Sequence, residues 1–73
     1  MVRTLFKNLQ IKWWLFRGKR ERIRENPARA IKYFERVLAI NPFHAFALAQ
    51  IGSCHYDLQR YDEALNAFNQ ALE

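Results

Sequence analysis

The feature that most constrains how this chain can fold is a set of residues that recur at an interval of 34 positions. Glycine, alanine, phenylalanine and leucine each recur once, as Gly18 and Gly52, Ala30 and Ala64, Phe34 and Phe68, and Leu38 and Leu72. A fixed interval of this length is typical of a stacked supersecondary unit. Glycine and alanine let two helices approach closely, and an aromatic ring fills the space beside them. The recurrence therefore predicts two similar helical hairpins.

The apolar residues between these positions recur at helical spacing, and no alternation of period two is present. Asn26 is a favourable N-cap residue and Pro27 a favourable first helical residue, whereas Pro42 cannot continue the helix that precedes it. Short turns make consecutive helices pack antiparallel, so the fold class is all-α. Four helices are predicted, near Leu5–Arg24, Pro27–Ile40, His44–Leu58 and Tyr61–Leu72.

These positions resemble the tetratricopeptide repeat, a helix-turn-helix unit of 34 residues that stacks into an α-solenoid. The second unit matches the family pattern at Leu48, Ile51, Gly52, Tyr61, Ala64, Phe68 and Ala71. In that unit His55 replaces the usual tyrosine, and the closing proline is expected beyond Glu73. The first unit matches at Trp14, Gly18, Ala30, Phe34, Val37 and Pro42. It departs at Arg17 and Glu21, where an apolar residue and an aromatic are expected.

The resemblance divides the chain into three segments. Residues 1–25 form a long, basic, tryptophan-containing amphipathic helix, which is a degenerate first helix of repeat 1. Residues 26–44 form the second helix of repeat 1, and residues 45–73 form a truncated repeat 2. About three repeats are usually needed to bury the apolar faces of such hairpins. We therefore expect the last helix to expose an apolar flank, and the chain to be a homo-oligomer or part of a larger assembly.

The family resemblance implies a non-catalytic adaptor that holds a protein or peptide partner in the concave face lined by the first helix of each repeat. In repeat 2 the groove candidates are Phe46, Ala49, Gln50, Ser53, Tyr56 and Asp57. No catalytic residue, cofactor or metal is expected. Cys54 and His55 are adjacent on one helix and point about 100° apart. Zinc prefers three or four converging ligands, and Cys54, His55 and His44 are not expected to converge on one point.

The N-terminal helix carries apolar residues on two sides. Seven of them share one stripe, namely Val2, Leu5, Phe6, Leu9, Trp13, Phe16 and Ile23, whereas Ile11, Trp14 and Leu15 lie on the opposite side. One apolar side is expected to face Phe34 on the next helix, so the other side requires a second contact. We predict a second docking surface made of Trp13, Trp14, Phe16, Arg17, Lys19, Arg20 and Arg24.

Three kinds of partner compete for this second surface. A protein, including a second copy of the chain, is favoured because tryptophan-rich helix faces are frequent binding hot spots. A membrane surface is the alternative, since tryptophan beside lysine and arginine suits anionic lipid. A nucleic acid bound through the cluster Arg17–Arg24 is the least favoured partner, because the aromatic residues and the charges are segregated along the chain.

Charge and cysteine content indicate the kind of partner and the cellular compartment. The net charge of +5 divides into eleven Lys/Arg and three Glu in residues 1–36, and one Arg against four Asp/Glu in residues 37–73. An anionic partner is therefore expected at the first half. Cys54 is the only cysteine, so no internal disulfide can form and a reducing compartment fits. We expect a cytoplasmic protein, peripheral at a membrane surface if the lipid alternative holds.

Overall fold

The computed structural model describes residues 2–73 and contains, over that range, four α-helices and no strand. The helices are α1 (Val2–Ile23), α2 (Pro27–Ile40), α3 (Ala45–Asp57) and α4 (Tyr61–Leu72). The all-α prediction is confirmed. The edges differ slightly, since α1 runs from Val2 to Ile23 rather than from Leu5 to Arg24. Likewise, α3 runs from Ala45 to Asp57 rather than from His44 to Leu58. Met1, the first residue of the predicted segment 1–25, lies outside the described residues.

Helix starts differ in how their free N–H groups are satisfied. Asn26 occupies the N-cap of α2 and Pro27 the first helical position, as predicted, but the Asn26 side chain makes no capping hydrogen bond. At the start of α3, His44 accepts a hydrogen bond through Nδ1 from the backbone N–H of Ala47 at 3.2 Å. The first turn of a helix leaves donors without internal partners, and His44 satisfies one of them.

The turns that close the two hairpins have the same geometry. Glu25 and Gln59, which are 34 positions apart, both adopt positive φ, 59° and 62°. In the first turn, the backbone N–H of Asn26 donates to the carbonyl of Glu21 at 2.9 Å. In the second turn, Arg60 donates to His55 at 2.8 Å in the same pattern. Both α1 and α3 are therefore followed by a left-handed residue that returns the chain toward the next helix.

In each hairpin, the two helices are in closest contact where a glycine packs against a phenylalanine ring. A Cβ atom added to Gly18 would lie 2.6 Å from two ring carbons of Phe34. A Cβ atom added to Gly52 would lie 2.8 Å from the ring of Phe68. These distances are shorter than any ordinary carbon–carbon contact, so each site admits only glycine without movement of the ring.

Each helix packs mainly against the next one in the chain, and the core lies along α2 and α3. Residues with almost no exposed surface include Ala30, Phe34, Val37, Ala47, Leu48, Ile51, Cys54 and Ala64. Pro42 lies exposed in the turn between α2 and α3. On α4, Leu65 is 60% exposed and Leu72 is 86% exposed, so the last helix has the apolar flank that the sequence predicts. The division of the chain into one degenerate and one truncated repeat stays a prediction.

The first part of α1 extends beyond the rest of the bundle. Every residue from Val2 to Leu9 is exposed, although the helix is continuous from Val2 to Ile23. None of the residues from Val2 to Leu9 is buried or half-buried. None of the helices within residues 2–73 combines the length and the apolar character needed to span a bilayer.

Candidate protein-binding groove

The first helices of the two hairpins, α1 and α3, meet along an open groove. Arg22 donates a hydrogen bond through Nη1 to Oε1 of Gln50 at 2.7 Å, and its Nη2 lies 3.5 Å from Oδ2 of Asp57. The ammonium of Lys19 lies 5.0 Å from the centre of the Phe46 ring. A cavity of about 360 Å³ opens here, lined by Lys19, Arg22, Ile23 and Gln50. Polar contacts from α1 thus fix one wall of the groove relative to the other.

The six groove candidates on α3 all remain at least partly open to solvent. Phe46 is 41% exposed, Tyr56 is 61% exposed and Asp57 is exposed, whereas Ala49, Gln50 and Ser53 are half-buried. Phe46, Gln50 and Asp57 contact α1 as described above. Tyr56 instead meets Tyr61 of α4 edge-on, with ring centres 5.3 Å apart. The binding role of these six residues stays a prediction.

The 34-residue offset gives the positions on α1 that are equivalent to the six groove candidates on α3. The six α3 candidates correspond to Lys12, Leu15, Phe16, Lys19, Arg22 and Ile23. Of these, only Phe16 and Lys19 stand in the predicted second docking surface. Arg22, which makes the polar contacts to α3, could have been found because Tyr56 lies 34 positions after it. One side of the predicted docking surface is therefore continuous with the groove.

The two adjacent tryptophans have different environments. Trp14 is half-buried, stacks on Tyr33 of α2 with ring centres 5.9 Å apart, and has the guanidinium of Arg36 at 4.6 Å on its ring. Trp13 is 51% exposed, and its ring centre lies 6.2 Å from that of Phe16 on the same helix. The structure therefore places Trp14 in the contact between α1 and α2, and leaves Trp13 accessible.

Several arginines of the basic cluster are engaged within the chain. Arg17 donates through Nη2 to the Tyr33 hydroxyl at 3.1 Å, and its guanidinium lies 5.0 Å from the Tyr33 ring and 5.5 Å from the Trp13 ring. Arg24 pairs with Glu21 at 3.9 Å. Lys19 and Arg20 are exposed. The cluster is thus divided between structural contacts and accessible charge.

The departure from the repeat pattern at Glu21 is compensated by a nearby cation. Glu21 is only 6% exposed, and its carboxylate lies 3.7 Å from Nη1 of Arg29. The equivalent residues in the second hairpin are His55 and Glu63, whose Nδ1 and Oε2 lie 3.5 Å apart. The same two positions therefore hold a polar pair in both hairpins. The glutamate is on the first helix of the first hairpin but on the second helix of the second hairpin.

The face by which α3 packs onto α2 has a basic counterpart on α1. Ile51, Cys54 and Leu58 join Ile31 and Phe34 in one apolar cluster. The residues 34 positions before the three α3 members are Arg17, Arg20 and Arg24. The corresponding face of α1 is therefore charged where that of α3 is apolar.

Cys54 is fully buried, and desolvation raises the pKa of its thiol from 9.0 to about 11. The positive charge of Arg22 opposes this rise, and the negative charge of Asp57 adds to it. A neutral buried thiol is a poor nucleophile, because the thiolate is the reactive form. Among residues 2–73, no group of three or more His, Cys, Asp or Glu side chains is placed to hold a metal ion. Cys54 thus acts as a small apolar residue in the hairpin interior.

Comparison with known proteins gives one family. The family model described as tetratricopeptide repeat matches residues 13–73, which include the second part of α1 and the other three helices and omit the exposed N-terminal extension. Neither the search of curated proteins nor that of solved structures gives a match. The paired glycine–phenylalanine contacts and the matched range lead to one conclusion. The chain belongs to the tetratricopeptide repeat family.

Proposed function

We propose that the chain is a non-catalytic binding module that holds an acidic, partly apolar peptide segment of a partner protein in the groove between α1 and α3. Tetratricopeptide repeats generally mediate protein–protein interaction, which supports the class of function. The observation that carries the finer proposal is the placement of Lys19 and Arg22 of α1 beside Phe46 of α3.

The charge of the groove favours an acidic partner. On α1, the groove positions include Lys12 and Lys19, both exposed, together with Arg22. On α3, Asp57 is the only acidic groove residue, and it already lies 3.5 Å from Arg22. A positive groove raises the association rate of an acidic segment and disfavours a basic one.

Exposed apolar side chains along the same groove supply the remaining contacts. Phe16 is 55% exposed, Ile23 is 82% exposed and Phe46 is 41% exposed. Burial of such residues against a partner provides binding energy that surface charges alone do not provide. The proposed segment therefore carries aliphatic or aromatic side chains between its carboxylates.

A nucleic-acid partner is less well supported by the contacts. Arg17 is held by Tyr33 and Trp13, Arg22 by Gln50 and Asp57, and Arg24 pairs with Glu21. Trp14, which stacks on Tyr33, offers no free ring face there for a base. Binding of single strands requires free cations together with free aromatic faces.

The proposal is tested by fluorescence anisotropy with two labelled peptides. One peptide alternates glutamate and leucine, and the other has lysine in place of every glutamate. We expect the acidic peptide to bind more tightly, and Lys19→Glu to weaken its binding by about tenfold, because a cation becomes a repelling anion in the groove. Phe46→Ala is expected to weaken binding of the acidic peptide through loss of apolar contact.

The matched control is Lys32→Glu, which makes the same charge change at an exposed position on α2, outside the groove. We expect this variant to bind the acidic peptide nearly as well as the unchanged chain. Equal losses for Lys19→Glu and Lys32→Glu would show that net charge alone governs binding. That result would refute the groove proposal, and so would equal affinity for the acidic and the basic peptide.

A further inference from the structure

The N-terminal extension of α1 presents a continuous apolar stripe that nothing in residues 2–73 covers. Val2 is 82% exposed, Leu5 and Phe6 are each 61% exposed, Leu9 is 56% exposed and Trp13 is 51% exposed. These residues follow one side of the helix through more than three turns. The family model begins at residue 13, so the stripe lies almost entirely before the matched repeats.

The stripe points directly away from the bundle. Leu9 lies nine residues before Gly18, which at 100° per residue places the two on opposite sides of α1. Gly18 faces Phe34 of α2, so the side that carries Leu9 faces outward. A broad, flat surface can therefore approach the whole stripe without meeting α2.

Charge identifies what this surface should be. From Val2 to Arg20, α1 carries six Lys/Arg and no Asp/Glu. Two copies joined stripe to stripe would bring the cations that flank the stripe, Lys12 and Arg20, close to those of the other copy, which disfavours a self-complementary helix pair. A lipid surface with anionic headgroups complements the charge and accepts the apolar side chains at its acyl boundary.

We propose that the first half of α1 lies flat on an anionic lipid surface and holds the peptide groove at the membrane. In this arrangement Leu5, Phe6 and Leu9 enter the boundary between headgroups and acyl chains, and Trp13 lies at headgroup level. Lys12 and Arg20 contact lipid phosphates beside the stripe. The groove residues Lys19 and Arg22 remain accessible, because they lie about 80° and 140° around α1 from Leu9. Phe16 and Ile23 continue the side of the stripe, but they lie beyond the half of α1 that meets lipid.

The two tryptophans allow a direct test by intrinsic fluorescence. The Trp14→Phe variant retains Trp13, and the Trp13→Phe variant retains Trp14. Each is mixed with vesicles of phosphatidylcholine alone, or of phosphatidylcholine with phosphatidylserine, at low salt. We expect a blue shift for Trp13 with the phosphatidylserine vesicles only, and a smaller shift for Trp14, which is stacked on Tyr33 of α2.

A second measurement uses vesicle co-sedimentation and a matched control. The double variant with Leu5→Ser and Phe6→Ser is expected to lose at least about tenfold in partitioning, because each buried methylene contributes to membrane affinity. Leu65→Ser changes an equally exposed leucine on α4, 60% against 61% for Leu5, and should leave partitioning unchanged. Lys12→Gln is expected to lose roughly fivefold, the effect of one cation near an anionic surface.

Three results would overturn the proposal. The first is no binding to phosphatidylserine vesicles at low salt, and the second is equal binding to neutral and anionic vesicles. The third is a dimer in sedimentation that the Leu5→Ser and Phe6→Ser variant abolishes without lipid, which would make a second copy the occupant of the stripe. Peptide binding by that double variant should stay unchanged, so failure of the lipid proposal remains distinct from failure of the groove proposal.

Discussion

Replacing each repeat glycine by alanine provides a sharp test of the packing described above. The change adds one methyl group in the middle of a helix at two equivalent positions, Gly18 and Gly52. At Gly18 the new atom would lie 2.6 Å from Phe34, and at Gly52 it would lie 2.8 Å from Phe68. The rings differ in freedom, because Phe34 is 0% exposed whereas Phe68 is half-buried. The two substitutions should therefore differ in cost.

The expected magnitude is the difference between two opposing effects. Alanine in place of a mid-helix glycine stabilises a helix by about 1 kcal/mol. Forcing a methylene-sized group into a filled core costs about 1–3 kcal/mol. The upper value applies at Gly18, where the ring of Phe34 has no free space to enter, so the net loss is about 2 kcal/mol. At Gly52 the Phe68 ring can move toward solvent, so the net change is about zero.

The assay is urea and thermal unfolding followed by circular dichroism, with Ala39→Gly on the exposed side of α2 as a measure of helix propensity alone. Gly18→Ala should lower the melting temperature by roughly 10 °C, given ~4–8 °C per kcal/mol for a domain of this size. Adding Phe34→Leu to Gly18→Ala should recover part of the loss, because the smaller side chain makes room for the methyl group. If Gly18→Ala and Gly52→Ala both stabilise the chain by the propensity term, then close packing of Phe34 on Gly18 does not govern stability.

Three further predictions follow from single residues. Cys54 should resist alkylation in the folded chain and react only at the rate of unfolding, and rapid alkylation under native conditions would contradict its burial. The stability that Cys54 contributes should fall as pH rises from about 9 to about 11, because the thiol ionises first in the unfolded chain. Glu25→Gly should raise the free energy of unfolding by about 0.5–1 kcal/mol, because glycine adopts positive φ without strain. Glu35→Gly on the exposed side of α2 should instead lower it by about 1 kcal/mol. Equal losses for the two variants would show that Glu25 is not strained. Glu21→Lys should lower the free energy of unfolding by about 3 kcal/mol because a buried cation would face Arg29, whereas Glu21→Leu should leave it nearly unchanged. A similar cost for both variants would show that charge pairing does not matter at this position.

Helix positions followed from the sequence because short-range rules determine them. Pro27 and Pro42 mark the beginning of α2 and the turn after it, and the apolar spacing gave α4 without error at either edge. The exposed stripe of α1 was also grouped correctly, since its members share one helical side. These features depend on neighbours within a few turns, which the sequence lists directly.

The remaining features depend on contacts between distant residues. Burial of Glu21 beside Arg29 was not predicted, because the repeat pattern indicated only a departure from the aromatic residue expected at that position. The separation of Trp13 from Trp14 depended on the place of Tyr33 on α2. The contacts of Arg22 with Gln50 and Asp57 were missed because these partners lie on another helix, although the 34-position offset from Tyr56 points to Arg22 itself. In each case a side chain of one helix is defined by a residue that only folding brings near.

The contrast between the packing faces of α1 and α3 gives the array a direction of growth. The α4 flank, with Leu65 and Leu72 exposed, is suited to receive a helix with an apolar face such as that of α3. The face of α1 that carries Arg17, Arg20 and Arg24 cannot fill that role, because its cations would lose water against leucine side chains. Copies of this chain stacked end to end would therefore place arginines of one copy against exposed leucines of the next, which disfavours polymerisation through apolar contacts. The cations on this face of α1 are instead suited to anionic groups, such as the lipid phosphates proposed above.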